Sequence, residues 1–498
     1  MWVIASTVAL GLAFQSPLGS PAASVAVAAP PPPVVPFEDW AEANGINAPK
    51  VAVTGTEDLR GVVLLEDVVL GEELACVPRT TCLDLSAVEG SGSPCEALVP
   101  SPLWTTLRWY ERLACWLLAE QRRGAASPVV GYLGYLPRPE TFADVPLEWT
   151  DDELTALSYP PVAASIREQG AEIDALYRAL VGGQGGPLAA TVSLGELRWA
   201  LQLVLSRAFT STIATPEMLA ARNPPPPPPP DALRMTAQTF FGKVPILGNI
   251  VNGPPPPPPP SALGDGLEMA MMPMLDAFNH NSNAKVSCAY DGTRNAFVLT
   301  ANAALGRGEQ ACISYGDKSN DELLQLFGFV EEENPHDVFL SIGLDSFLAA
   351  PSSGFFPSEQ AAQARFAKLR ALDLEQFLLG ELTATEVPQP TMHALRVLLG
   401  TVDEVDGEGA KLLGTPKSLA TELRVWAALM GYCKMARSAM GGARSADLQV
   451  ARGARRAGDA RRAMALTFRA EKKRLLSELE NRLGRKAARS KKAGKVRS

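Results

Sequence analysis

The chain is short of the residues that build metal and disulfide frameworks. Its 498 residues include only three histidines (His280, His336, His393) and seven cysteines (Cys76, Cys82, Cys95, Cys115, Cys288, Cys312, Cys433). The cysteines are scattered, odd in number and without a CxxC pair, so neither a disulfide framework nor a zinc cluster is indicated. Three histidines cannot supply a His-rich metal centre. No apolar run reaches the roughly 18 residues that a membrane-spanning helix needs. Acidic residues are absent from the stretch 485–498, which holds seven basic ones (Arg485, Lys486, Arg489, Lys491, Lys492, Lys495, Arg497). The whole chain carries a formal charge of -8, so the remainder stands at -15 (-8 minus 7). An acidic body of that kind is not expected to bind nucleic acid.

What is present is a globular balance, with 46% hydrophobic and 20% charged residues, well away from disorder. The length exceeds one ordinary core and predicts two domains plus extras. Residues 1–36 differ from the rest. A short apolar run ends in Gly11-Leu12-Ala13, Phe14 follows, and then come Ala, Ser and Pro with no acid before Glu38. This leader resembles the two-part presequences of algae with secondary plastids, in which Phe follows the cleavage point. On that reading the chain is addressed to a plastid. Transit stretches ordinarily carry Arg or Lys and this one has none, so a plain apolar leader competes, with cytoplasm or nucleus as the alternative compartments. The basic tail reads as a solvated helix end, a nuclear address or an anchor for an acidic partner.

The first packed unit begins near Phe37. Residues 59–78 (LRGVVLLEDVVLGEELACVP) predict a strand, a turn and a strand, with Gly61 and Gly71 at turns. Helical spacing follows over Leu107–Glu120 and again over Leu194–Phe209. Two identical runs of seven prolines, Pro224–Pro230 and Pro254–Pro260, bracket TFFGKVPILGNIVNG. Each would extend roughly 22 Å as a polyproline II rod, which no packed helix or central strand can contain. They read as a low-complexity surface insertion or as a docking site for a polyproline-binding partner. Strand-like runs return over 271–330 in MMPMLDAF, KVSCAY, AFVLTA and QACISYG. After Asn334-Pro335 the pattern is helical, with one stripe at Leu419, Leu423, Trp426, Leu429, Met430 and Cys433 and another at Leu475, Leu476, Leu479 and Leu483. The fold class expected is α+β: a β-rich unit followed by an all-helical one.

Three clusters carry candidate chemistry. Leu59-Arg60-Gly61 is a turn whose backbone can approach a ligand, because Gly61 lacks a side chain. Asp276-Ala277-Phe278-Asn279-His280 places a carboxylate, an amide and an imidazole at the end of an apolar run. Buried polar groups need partners, and these either satisfy one another or surround a polar ligand. In Ile313-Ser314-Tyr315-Gly316 a tyrosine ends a β-branched strand, and Phe327-Gly328-Phe329 follows. A tyrosine so placed is ordinarily core, but with two phenylalanines it can wall a narrow channel suited to an alkyl-ammonium.

Taken in order, these clusters resemble the SET domain, in the branch of the Rubisco large-subunit lysine methyltransferase. The matching stretches are residues 59–78, LLAEQRRGAASPVVGYLGYLP, SRAF at Ser206–Phe209, MMPMLDAFNH, ISYGDKSNDELLQLFGFVEEENPHD and LTFRAEKKRLL at 466–476. They run from about Trp40 to Leu483. The resemblance implies small curved sheets in which the Asn-His and Tyr-Gly segments form a pseudoknot, a rare threading. It further implies a helical insertion over 95–210, the proline insertion over 222–262, a SET unit over 37–316, and a post-SET segment with a helical substrate-binding domain over 317–484. It implies S-adenosylmethionine as cofactor, bound by Leu59, Arg60, Gly61, Arg207, Asn279 and His280. Tyr315 would be the catalytic tyrosine. Arg207, Asp276, Tyr290, Tyr315, Phe327 and Phe329 would meet the substrate, and no metal is required. Leu59 replaces the first glycine of the family turn, and Phe327 stands where relatives often carry Tyr. The expected activity is lysine methylation of a non-histone protein by a monomer. Relatives that act on actin histidine carry a polar residue at the position of Phe209. A histidine methyltransferase of the same fold and a silent binding scaffold are the competing readings.

Overall fold

The computed structural model describes residues 36–55, 60–212, 267–405 and 413–497. The leader to residue 35, both proline runs and Leu59 lie outside the described residues.

The α+β expectation holds: a β-rich unit comes first and a largely helical unit follows, although that unit also carries one short strand pair where none was expected. The main sheet contains β1 (Val51–Thr54), β2 (Gly61–Leu64), β3 (Glu73–Pro78), β7 (Asn279–His280), β8 (Val286–Asp291), β9 (Ala296–Ala301) and β10 (Gln310–Ile313). Its order is β1-β2-β10-β8-β9-β3, with β7 also paired to β10. A second sheet is formed by β4 (Leu83–Asp84), β5 (Ala208–Thr212) and β6 (Leu267–Met271), in the order β4-β6-β5. The pair β11 (Phe339–Leu340) and β12 (Glu381–Leu382) lies in the C-terminal part.

Two local expectations need correction. The segment 59–78 does form two strands, but Gly61 is the first residue of β2 and not a turn; β2 joins β1 and β10, and β3 joins β9. The connection between them is held elsewhere, since Val68 exchanges backbone hydrogen bonds with Leu305. Nor is MMPMLDAF one strand. β6 ends at Met271, and Pro273, which has no N–H to give a ladder, is followed by Met274 at φ 70. A 3-10 turn over Leu275–Ala277 then leads into the separate two-residue strand β7. That break turns the Asp276 side chain inward and starts β7 in parallel beside β10.

The helix predicted over Leu107–Glu120 forms at Trp109–Arg123, and that over Leu194–Phe209 at Leu194–Arg207. The latter starts on a capping box between Ser193 and Glu196, satisfying otherwise free N–H groups. It stops at Arg207, where the chain becomes strand β5.

Buried side chains form two cores. The first gathers the two larger sheets with the helices Trp109–Arg123 and Leu194–Arg207. The second gathers the helices after residue 338 but also takes in Trp149, Leu154, Leu157, Tyr159, Val162 and Ile166 from the first half of the chain. In the helix Leu419–Ala439, Trp426, Leu429 and Cys433 are buried as the stripe predicts, whereas Leu419 at its first turn is exposed. The last helix, Ala460–Arg497, continues through the basic tail. Several of its earlier cations are paired: Arg461 with Asp144 and Glu153, Arg469 and Lys473 with Asp447, Arg474 with Glu471 and Glu478. Lys472 is fully buried between Asp321 and Asp337, at 2.8 and 2.7 Å. Among the described residues no helix is long and apolar enough to cross a membrane, and no group of His, Cys, Asp and Glu could hold a metal ion.

Candidate active site

The site is built where β7 runs parallel to β10, with Asn279 opposite Cys312 and His280 opposite Ile313. Two short strands thereby set Asn279-His280 beside the end of β10, from which Tyr315 projects. The three polar groups of the second cluster do not satisfy one another. Each reaches a different, distant segment.

Asn279 donates through Nδ2 to the carbonyl of Arg60 at 2.8 Å, tying β7 to the start of β2. Gly61 is favoured here for space, not for an unusual φ. A Cβ on it would stand 2.1 Å from Gln310 Nε2 and 3.2 Å from Asn279 Nδ2. The Gln310 amide can swing away, but Asn279 is held by its bond to Arg60. Arg60 itself donates to the carbonyl of Tyr135 at 2.5 Å and lies over that ring, 5.1 Å from its centroid.

Asp276 has a fully buried side chain. It accepts from the Tyr132 hydroxyl at 2.9 Å, and Arg207 stands 3.6 Å from its Oδ2 while donating to its backbone carbonyl at 2.5 Å. Burial pushes the Asp276 carboxyl up, and the Arg207 guanidinium opposes that shift. Burial likewise raises the Tyr132 and Tyr135 hydroxyls, so both remain neutral. Three buried polar atoms of this neighbourhood have no hydrogen-bond partner among the described residues: Asp276 Oδ1, Arg207 Nε and the Tyr135 hydroxyl. Replacing Tyr132 with Phe takes the one hydroxyl donor from Asp276. The expected loss is about 1–3 kcal/mol of stability, measured by denaturant unfolding; an unchanged midpoint would show that Arg207 alone satisfies the carboxylate.

Tyr315 is not sealed away from the Asn-His pair. Its backbone N–H donates to His280 Nδ1 at 3.0 Å, and its hydroxyl donates to the carbonyl of Phe278 at 2.9 Å. Burial pushes that hydroxyl up to about 12, which keeps it a neutral donor. Its ring stacks on Phe327 at 4.8 Å, and Phe327 meets Phe329 edge-on at 6.3 Å. His280 completes the wall, 5.1 Å from Tyr315 and 5.9 Å from Phe329. The two phenylalanines face the same neighbours because Gly328 between them takes the left-handed conformation at φ 73, which a side chain there would resist.

The structure thus brings together Arg60, Gly61, Arg207, Asp276, Asn279, His280, Tyr315, Phe327 and Phe329. It puts Tyr290 in another neighbourhood, on the β8–β9 hairpin. There its hydroxyl donates to Asn295 at 2.8 Å, its ring packs on Phe297, and Arg79 lies over it. Sequence reasoning missed Tyr132 and Tyr135, which flank Gly134 in GYLGY, and Glu331, which contacts His280 at 3.3 Å. The tyrosines lay within a matched stretch but look like ordinary core aromatics. Glu331 sits in a run of three glutamates that local pattern cannot tell apart.

No family model matches the chain. Over 124 residues it is 32% identical to an actin-histidine N-methyltransferase of Drosophila melanogaster, covering 24% of this chain and 22% of that protein. Over 80 residues it is 31% identical to a ribosomal lysine N-methyltransferase of Schizosaccharomyces pombe, covering 16% and 20%. The chain therefore matches only about a fifth of the length of these curated relatives. Two solved structures align over nearly the whole chain. Rubisco LSMT bound to sinefungin and monomethyllysine gives a TM-score of 0.58 at 19% identity, covering 90% of this chain and 91% of that one. Rubisco LSMT bound to AdoMet gives 0.57 at 18% identity, covering 91% of each. At that identity the likeness establishes the fold: a SET-type β-rich unit followed by the C-terminal helical part of the Rubisco LSMT arrangement.

Proposed function

We propose that this SET-type chain is an S-adenosylmethionine-dependent protein methyltransferase whose acceptor is a lysine side chain of a non-histone protein. One observation carries the reading: Tyr315 stands at once on the Asn279-His280 pair and on an aromatic wall of Phe327 and Phe329. The buried unpartnered atoms of Arg207, Asp276 and Tyr135 fit a ligand that carries both a carboxylate and an ammonium group, as this cofactor does. Arg60, Gly61, Arg207, Asn279 and His280 would hold it. When bound, S-adenosylmethionine supplies a methyl group on a sulfonium.

The chain's own residues must then deliver a neutral amine. A free lysine costs about 4.6 kcal/mol to deprotonate at pH 7, at ~1.36 kcal/mol per unit below 10.4. A channel walled by Tyr315, Phe327 and Phe329 strips water from the ammonium and lowers that cost. The Tyr315 hydroxyl, neutral and anchored on the Phe278 carbonyl, orients the amine, and alignment of donor and acceptor supplies the rest. A histidine acceptor is the second reading, favoured by the match to the actin-histidine enzyme. Phe209 supports lysine, because the resemblance expects a polar residue at this position for a histidine acceptor, and here an apolar side chain on β5 packs against the first core.

Incubation with methyl-labelled S-adenosylmethionine in a cell extract, followed by mass spectrometry of the labelled protein, tests both. Methyl-lysine is the expected product. Methyl-histidine would transfer the acceptor to the second reading, and absence of both labelling and calorimetric cofactor binding would leave a silent scaffold.

A further inference from the structure

Glu331 lies 51 residues from His280 in the chain yet sits against its ring, with Oε2 3.3 Å from Nε2. Its position is strongly specified. The buried Asn320 side chain clamps the Glu331 backbone from both sides, accepting from its N–H at 2.9 Å and donating to its carbonyl at 3.0 Å. Ser282 grips the carboxylate, with its backbone N–H on Oε1 at 3.0 Å and its hydroxyl on Oε2 at 2.6 Å.

On the other side of the ring, Nδ1 meets the backbone N–H of Tyr315. A backbone N–H can only donate, so Nδ1 must be unprotonated there. In a neutral imidazole the proton is then on Nε2 and points at Glu331. We propose that Glu331 is a positioning residue: it holds His280 in the tautomer whose Nδ1 receives the Tyr315 N–H, so that the placement of Tyr315 depends on His280 staying neutral. This rests on the methyltransferase reading for its consequence, but the linkage itself is a property of the fold.

Protonation of His280 would put a second N–H against that of Tyr315 and break the bond. The groups that face the ring decide when this happens. Burial lowers the His280 pKa below its ordinary 6.5, Glu331 opposes that, and His336 adds to the lowering. Ser282 Oγ at 3.4 Å and the rings of Tyr315 and Phe329 complete the surroundings. The side chain of His280 is 1% exposed, so solvent cannot take over the bond. With the folded pKa below the unfolded one, the unfolded chain takes up the proton first. The arrangement therefore holds above about 6.5 and loses stability as pH falls through the depressed value. The carboxylate of Glu331 extends the opposite way: removing its charge should make the ring harder to protonate while leaving the tautomer less well fixed.

With three histidines and eight tyrosines in the chain, selective nitrogen-15 labelling resolves both partners by NMR. In the full-length wild-type protein, His280 is expected to carry its proton on Nε2 at about pH 8. The Tyr315 amide resonance should titrate with the His280 ring at one midpoint below the ordinary histidine value. Glu331→Gln should move both midpoints together to lower pH, by about one unit, and Glu331→Asp should restore most of that shift. Calorimetry with S-adenosylmethionine should find the affinity about tenfold weaker once His280 is protonated, with the weakening displaced in Glu331→Gln by the same interval. A proton on Nδ1, or midpoints unmoved in Glu331→Gln, would overturn the proposal. Coupled midpoints in a protein that binds no S-adenosylmethionine at any pH would support the Glu331–His280–Tyr315 linkage and remove the methyltransferase reading instead.

Discussion

Tyr315→Phe is expected to lower methyl transfer by about a hundredfold or more while S-adenosylmethionine still binds. The ring stacking on Phe327 needs no hydroxyl, so the aromatic wall survives. What disappears is the donor to the Phe278 carbonyl. That bond fixes the end of β10 against the turn before β7 and holds the only polar atom that the wall of Tyr315, Phe327 and Phe329 presents. A typical neutral hydrogen bond contributes about 0.5–1.5 kcal/mol to stability, so the variant should fold. Misalignment of a reacting amine by an ångström is enough for a hundredfold loss. The measurement pairs incorporation of labelled methyl into the identified target with calorimetric cofactor affinity. Full turnover in the variant would take Tyr315 out of the reaction.

Lys472→Met should produce the largest loss of stability, about 3–5 kcal/mol at neutral pH. Lys472 is fully buried, donates to Asp337 at 2.7 Å and to the carbonyl of Val338 at 2.6 Å, and lies over the rings of Tyr159 and Phe468. Burial works against its charge, but Asp321 and Asp337 outweigh it and raise its pKa. Methionine would fill the volume and leave both carboxylates buried without a cation. Burial already pushes Asp321 above the ordinary carboxylate range, with Lys472 resisting. A carboxyl whose folded pKa lies above its unfolded value stabilises the fold when protonated, and that contribution fades as pH rises through the folded value. The cost of Lys472→Met should therefore be greatest at neutral pH and shrink as the solution is acidified toward 5. Denaturant unfolding at a series of pH values checks this. A penalty independent of pH would mean that packing, rather than the charge pairing, is what the lysine contributes. Because Asp321 and Asp337 border the segment that carries Phe327, Phe329 and Glu331, the variant should also loosen the aromatic wall.

Much of the architecture was legible from residue order alone. The apolar spacing over Leu194–Phe209 placed a helix, but it ran two residues too far, because the structure ends the helix at Arg207 and gives Ala208 and Phe209 to β5. KVSCAY and AFVLTA became β8 and β9 with boundaries shifted by a residue or less. The Asn279-His280 and Tyr315 clusters were recognisable because polar residues interrupt runs that are otherwise apolar. The local breaks were harder. MMPMLDAF reads as a continuous strand until the backbone at Pro273 and Met274 is seen to turn. Gly61 reads as a turn glycine, whereas in the structure it opens β2 and the side chains of Gln310 and Asn279, more than two hundred residues away, crowd the place of its Cβ.

Charge shows the same division. In LTFRAEKKRLL nothing distinguishes Lys472 from Lys473 or Arg474, and a basic run on a helix is ordinarily a solvated face. Only the packing of the last helix buries these groups, Lys472 against the segment 321–338 and Lys473 on Asp447, and makes them structural. Hydrophobic spacing reports which face of an element is covered, because that depends on neighbours a few residues apart. It is silent on what covers the face, on the parallel register of β7 with β10, and on which of three glutamates meets an imidazole. Those depend on contacts between residues tens to hundreds apart, which form only when the whole chain closes, and it is the closed chain that turns Glu331, Tyr132 and Tyr135 into neighbours of the site.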